Sequence, residues 1–155
     1  MAGSRRHRGH ARVREAAAPR YAPDRPEAPL SGVLYDSDVI IEILRGRSDI
    51  VDAALSLEAA GIPTYCSPVS WAEIYAGIRP GEEDLAEMFF RSRGEVVLDA
   101  TSGRRAGEYL RRYRRSHGVQ IADALVAAAA ATSGLTLWTL NRRHYPMPDL
   151  EFHEP

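Results

Sequence analysis

The chain has 155 residues and a formal net charge of −1, with 45 % of residues hydrophobic and 26 % charged. That length is one domain with room for a sizeable core, and with Cys66 as the only cysteine it has neither an internal disulfide framework nor a cysteine-based zinc finger. All 20 basic residues are Arg, so chemistry that requires a lysine is excluded, and no uncharged apolar stretch is long enough to span a membrane.

Residues 1–30 hold seven Arg against three acids, four Pro and no aliphatic periodicity, and are read as a disordered Arg/Pro/Ala-rich extension. They lack the apolar core of a secretory signal, which makes the cytoplasm the expected address. A basic arm touching RNA or a partner is the alternative, but Tyr21 is its one aromatic residue, short of the aromatic interleaving of single-strand binders. Residues 31–155 carry 13 Arg against 18 acids, so this part has no bulk attraction for nucleic acid and would need a local patch or a metal to bind it.

The body opens with an apolar run, Gly32 to Tyr35, that ends in Asp36 and reads as a buried strand. Helices over Val39–Leu44 and about Asp49–Ala60 stop at Gly46 and Gly61, natural C-terminal caps. Ile62 to Cys66 reads as a second strand. Ser67-Pro68 is an N-cap followed by proline at the first helical position, opening a helix through Ile78. An acidic helix covers about Glu82–Arg91, and Glu95–Leu98 is a third strand. Asp99 caps a long Arg-rich helix to about Ser116, and an Ala-rich helix follows over Gln120–Thr132. Leu135–Leu140 is a fourth strand and Leu150–His153 a candidate fifth. Strands alternating with helices predict right-handed crossovers and a mainly parallel sheet of four to five strands, with helices on both faces. Ligands of such folds sit beyond the carboxyl ends of the strands.

Polar residues stand at unusual places in that scheme. Asp36 ends the first strand, Glu73 is the only charge between Pro68 and Ile78, and Asp123 is the only charge between Val119 and Ala131. Asn141 directly follows the fourth strand. Each acid alone has an ordinary explanation: a turn residue for Asp36, a snorkelling side chain for Glu73, a first-turn acid for Asp123. Together they suggest carboxylates converging on a hard divalent cation, Mg2+ or Mn2+, which prefers oxygen ligands and retains several waters.

Leu34-Tyr35-Asp36-Ser37-Asp38-Val39-Ile40-Ile41, Ser70-Trp71-Ala72-Glu73-Ile74, Ile121-Ala122-Asp123-Ala124-Leu125-Val126-Ala127 and Thr139-Leu140-Asn141-Arg142-Arg143-His144-Tyr145 together resemble the four sequence blocks of PIN-domain proteins, most closely the VapC toxins of bacterial toxin–antitoxin pairs. The resemblance covers about Ser31 to Pro155 in order and spacing. It implies a three-layer α/β/α nuclease domain over 31–155 that acts as a metal-dependent endoribonuclease. It also implies a homodimer and a small VapB-like antitoxin as inhibitor. Metal-site roles pass to Asp36, Glu73 and Asp123, with Glu73 positioning or deprotonating the attacking water. Asn141 stands where the family often has an acid, which weakens the case for a second metal ion. Asp38 occupies a position that is often small and polar, and is expected to brace the loop or to add charge near the metal.

Two other readings stand beside this one. Asp36-x-Asp38 after a strand also resembles haloacid-dehalogenase phosphatases with Asp36 as nucleophile, though the balancing Lys is absent. A PIN-like fold that binds RNA or antitoxin without cutting is the third, with Asn141 as its mark. In the long helix, Ala106, Leu110 and Tyr113 are expected to be buried and Glu108 to pair with Arg104 or Arg112. Its Arg set is then either a solvated face or a phosphate-tracking patch.

Overall fold

The structure, a computed structural model, describes residues 30–155. The extension read over 1–30 lies outside the described residues except for Leu30, whose N–H donates to Ser133 O (2.8 Å) and whose side chain packs on the core.

Each strand is short and its ends are set by what it must bury. β1 (Val33–Tyr35) leads into α1 (Ser37–Leu44), α2 (Ser48–Ala59) follows, and β2 (Thr64–Cys66) returns to the sheet. After these come α3 (Pro68–Gly77), α4 (Glu83–Arg91), β3 (Gly94–Glu95), α5 (Ala100–His117), α6 (Ile121–Ser133) and β4 (Thr136–Trp138). The four strands are all parallel, in the order β3-β2-β1-β4. The expected fifth strand is reduced to one parallel bridge, Leu137 to Phe152.

β1 is central and wholly buried because both sheet faces are covered. Alternation along the strands splits the core in two. Leu34 and Leu137 point toward the α5–α6 side, where Ala106, Tyr109, Tyr113 and the Ala-rich face of α6 pack. Val33, Tyr35, Cys66 and Trp138 point toward α1–α4, against Val39, Ile40, Phe89 and Phe90. Small alanines from Ala127 to Ala130 are fully buried, letting α6 lie close to the sheet.

The caps explain most helix ends. Ser67 Oγ accepts from Ser70 N (3.1 Å) at the start of α3, and Asp99 Oδ1 accepts from Thr101 N and Ser102 N at the start of α5. Gly118 and Gly134 close α5 and α6 in the left-handed conformation.

Three expectations are corrected. The third strand ends at Glu95 rather than Leu98, because it is an edge strand and Val97 already faces solvent. The buried stripe of α5 runs through Ser102, Ala106, Tyr109 and Tyr113, leaving Leu110 half-buried, since the helix is rotated to put two tyrosines inward. Glu108 pairs with Arg105 (3.7 Å) instead of Arg104 or Arg112. Arg105 also reaches Asp149 (2.7 Å), which accepts the Tyr109 hydroxyl and ties the C-terminal segment to α5.

Candidate active site

Beyond the carboxyl ends of β1 and β4 lies a pocket of about 310 Å3. Asp36, Glu73, Asp123 and Asn141, the four residues singled out in the sequence, all line it. They are separated along the chain by tens of residues and come together because the parallel sheet gathers its strand exits on one edge.

Asp36 leaves β1 as the N-cap of α1 and is only 8 % exposed. Its Oδ1 accepts from Ser37 N (2.8 Å), while its Oδ2 accepts the hydroxyls of Tyr145 (2.8 Å) and Thr139 (2.9 Å). Burial pushes its carboxyl above the usual carboxylate range; the three hydrogen bonds pull the other way, and the Asp123 charge adds to the rise. The same carboxylates and deep burial push the Tyr145 phenol far up, so its proton stays available as a donor to Asp36.

Asp123 sits at the third position of α6, where its Oδ2 accepts from Gln120 N (2.8 Å) in a capping box. The ordinary explanation for this acid therefore holds alongside the functional one. Its Oδ1 faces the pocket, 3.6 Å from His144 Nδ1. Glu73 projects from α3, exposed to solvent, and its Oε2 accepts the Ser37 hydroxyl across from α1. Asn141 opens a single 3-10 turn, Arg142–His144, that follows β4. Its amide nitrogen lies 3.1 Å from His144 Nε2.

Asp38 stands on the pocket wall and holds the loop after β4: its Oδ2 accepts from Leu140 N (3.0 Å) and from the Thr139 hydroxyl (3.2 Å). Its Oδ1 is buried without a hydrogen-bond partner among the described residues. Burial first, and the neighbouring Asp36 charge second, raise its carboxyl to about 6.

Four residues of the site escaped the sequence as functional candidates. Thr139 and Tyr145 reach Asp36 across 103 and 109 positions, and a hydroxyl carries no mark of so distant an acceptor. Ser37 supports both acids, its N–H donating to Asp36 Oδ1 and its hydroxyl to Glu73 Oε2. His144, given no role of its own from the sequence, forms part of the pocket wall because the 3-10 turn brings its ring back beside Asn141.

The donor set suits a hard cation: carboxylates and the amides of Gln120 and Asn141, with no thiolate among the described lining residues. Among the described residues, however, no three His, Cys, Asp or Glu side chains are drawn into a cage around one point. Asp123 and Glu73 are each held by a neighbour, and the pocket is roomy enough for water between them. Such an arrangement fits an ion that keeps much of its own hydration, as Mg2+ does.

The fold and the strand-edge pocket define an α/β/α protein with an acidic site. A family profile for the PIN domain matches residues 33–150, and the chain belongs to the PIN-domain family and to its VapC group. It is 40 % identical over 121 residues to "Ribonuclease VapC10" of Mycobacterium tuberculosis, covering 74 % of this chain and 86 % of the relative. It is 33 % identical over 120 residues to "Ribonuclease VapC19" of the same organism, covering 76 % and 96 %. The fold is also that of a DNA-bound VapBC from Salmonella typhimurium, with a TM-score of 0.67 at 17 % identity, covering 80 % of this chain and 98 % of that one. VapBC2 from Rickettsia felis, bound to a promoter DNA fragment, gives 0.64 at 23 % identity, covering 78 % and 96 %.

Proposed function

We propose that this protein is the toxin of a type II toxin–antitoxin pair, a Mg2+-dependent endoribonuclease that hydrolyses RNA phosphodiester bonds in the cytoplasm; Mn2+ is the alternative ion. One observation carries the reading: three carboxylates and an amide from four separate elements line one pocket, with Asp36 buried there at an energetic cost. Three hydrogen bonds offset part of the burial of the Asp36 anion, and a cation in the pocket would offset the rest, so its placement favours metal binding over a purely structural role.

Asp36 and Asp123 would hold the cation, directly or through water, with Asp38 behind them. When bound, a divalent ion makes water acidic and offsets charge on the phosphoryl oxygens. Tyr145, Thr139 and Ser37 N keep the Asp36 carboxylate in one orientation, so no reorganisation is needed at the moment of reaction. The Ser37 hydroxyl engages Oε2 of Glu73, leaving Oε1 to orient the attacking water and accept its proton. Asn141 contributes an uncharged amide at the same wall and orients water without adding to the repulsion among the acids. No protein nucleophile is needed.

The phosphatase reading loses support at Asp36 itself. Both its oxygens are engaged by donors, and no Arg lines the pocket to balance a covalent intermediate. The non-cutting reading is separated from ours by cleavage itself.

For the partner, the VapBC complexes among the structural neighbours support a VapB-like antitoxin. An apolar groove of about 250 Å3 between α1, α3 and α4, lined by Ile41, Leu44, Ile74, Ile78 and Leu85, opens beside Glu73 and offers such a chain a seat. An Arg or Lys of the antitoxin entering the acidic pocket would replace the cation by charge-assisted hydrogen bonds. The working form is proposed to be a homodimer.

The test is melting temperature with and without Mg2+, alongside RNA cleavage, for the parent, Asp36→Asn and Asp123→Asn. Mg2+ should raise the parent's melting temperature through linkage and raise those of the variants much less. Both variants should fold in EDTA and lose cleavage. If both are unstable in EDTA, or cut RNA at the parent rate, the metallonuclease reading fails.

A further inference from the structure

The body of the protein is acidic, yet its free cations are not scattered. Of the 13 Arg in residues 31–155, Arg45, Arg47, Arg91, Arg93, Arg105 and Arg142 each have a carboxylate partner. Five of the others, Arg104, Arg111, Arg112, Arg114 and Arg115, lie on α5, and none of them is ion-paired among the described residues. Their side-chain contacts among the described residues are weak: Arg104 to the Thr101 hydroxyl at 3.4 Å and Arg112 over the Tyr113 ring at 5.3 Å.

Helix geometry arranges these side chains. Ser102, Ala106, Tyr109 and Tyr113 face the core. At 100° per residue, Arg104, Arg111 and Arg115 (i, i+7, i+11) fall on the opposite side, in one row about 16 Å long. Glu108, the one acid near that row, is turned to Arg105. Gly103 and Gly107 flank the row, and a Cβ added at either meets nothing within 4 Å, so the surface beside the guanidinium groups is smooth and open.

The row also points somewhere. Arg114 and Arg115 are in the last turn of α5, Gly118 N donates back to Arg114 O, and two residues later Gln120 lines the acidic pocket. Outside the pocket's other wall, in the turn between the lining residues Asn141 and His144, Arg143 lies exposed, again without an ion pair among the described residues. An acidic pocket repels a polyanion, so a substrate with phosphates must be held beside it by cations that do not enter it.

We propose that the solvent side of α5, Arg104, Arg111 and Arg115 with Arg114 at its end, is a phosphate-tracking surface that holds single-stranded RNA and delivers its backbone to the pocket, with Arg143 receiving it at the far rim. This rests on the ribonuclease reading, and it assigns to the helix a task separate from catalysis. Contact is with backbone rather than bases, because guanidinium groups on an open helix face grip phosphate bidentately and no aromatic ring shares the row. A protein partner is the competing occupant of this face.

The experiment uses the full chain in EDTA with a short fluorescein-labelled single-stranded RNA, titrated by anisotropy across a salt series. Three proteins are compared: the parent, the triple variant Arg104→Gln/Arg111→Gln/Arg115→Gln, and a charge-matched control, Arg45→Gln/Arg47→Gln/Arg91→Gln. The α5 variant should bind roughly ten- to a hundredfold more weakly near 0.1 M salt, with the slope of log K against log[salt] shallower by about 2. The control should stay within about threefold of the parent. With Mg2+, kcat of the α5 variant should hold while KM rises. Equal losses in both variants, or an unchanged salt slope in the α5 variant, overturn the proposal, as does unchanged RNA binding with loss of a VapB-like partner. A parent that binds RNA through α5 in EDTA but never cuts it supports this surface and defeats the ribonuclease reading.

Discussion

Asp38 shows how much a single carboxylate can cost when the fold needs it. It accepts from Leu140 N and the Thr139 hydroxyl, fixing the loop that carries Asn141, while its second oxygen is buried with no partner among the described residues. Its carboxyl is raised to about 6, mainly by burial. A folded value above the unfolded one means that the folded state holds more protons between about pH 4 and 6. The stability contributed by this group is therefore full at low pH and lost as pH rises through the folded value. Asp36 acts in the same direction, whereas Asp49, Glu87 and Asp149, lowered in the fold, act in the opposite one. The difference between two proteins isolates the effect. Relative to the parent in EDTA, Asp38→Asn should gain melting temperature steadily from about pH 4 to 7, by a few degrees in all. Asn keeps an acceptor for Leu140 N, so cleavage should survive better than in Asp38→Ala. A constant difference across that range would show that Asp38 is not held as described.

Elements here are joined by contacts that only particular residues permit. Gly32 enters β1 with φ +144°, and an added Cβ would meet Pro63 O at 2.2 Å, because the 62–65 segment crosses directly beneath it. Gly32→Ala should destabilise the protein by about 2–3 kcal/mol, combining backbone strain with loss of the β1–β2 approach. Gly107, in contrast, is in the exposed interior of α5 with open space around it. Gly107→Ala should stabilise by about 0.5–1 kcal/mol. Denaturant midpoints measured on both read the two signs directly. Strand and helix identities were legible at this scale from apolar runs, Ser67-Pro68, and the glycine stops. Strand ends were not: Glu95–Leu98 and Leu135–Leu140 each shrink, because pairing depends on a neighbour that the local sequence does not name.

At the scale of the whole molecule, catalysis and folding meet at the sheet's carboxyl edge. Leu30 is tied to Ser133 and packs on the core, so its contacts belong to the body. A chain starting at Leu30 should therefore keep its melting temperature within a few degrees and its Mg2+ response unchanged. One starting at Gly32 should lose about 1–2 kcal/mol, from the Leu30 hydrogen bond and its apolar contact. Thermal melts of the two truncated chains decide it. A large loss on starting at Leu30 would assign residues 1–29 a part in the fold.

What the residues alone determined is the alternation of strands and helices, a mainly parallel sheet, and the identity of four polar residues misplaced in apolar segments. These follow from local rules: periodicity, capping, and the cost of charge beside apolar neighbours. Asp36, Glu73 and Asp123 each have an ordinary local explanation, and they were recognisable only as a set, because all three fall in apolar segments at or near the sheet's ligand edge. What only the tertiary structure decided is how those residues are held. Tyr145 and Thr139 on Asp36, Ser37 on Glu73, and His144 beside Asp123 are contacts across dozens of positions, made when the sheet brings strand exits together. The Arg-rich helix divides in the same way. Its composition announced a charged face, but which arginines stay free depends on where Glu108 and Asp149 fall, and that is set by the rotation of α5 against the core. Hydrogen bonds and ion pairs to distant residues leave no periodic trace in a chain, because their partners are chosen by topology rather than by spacing.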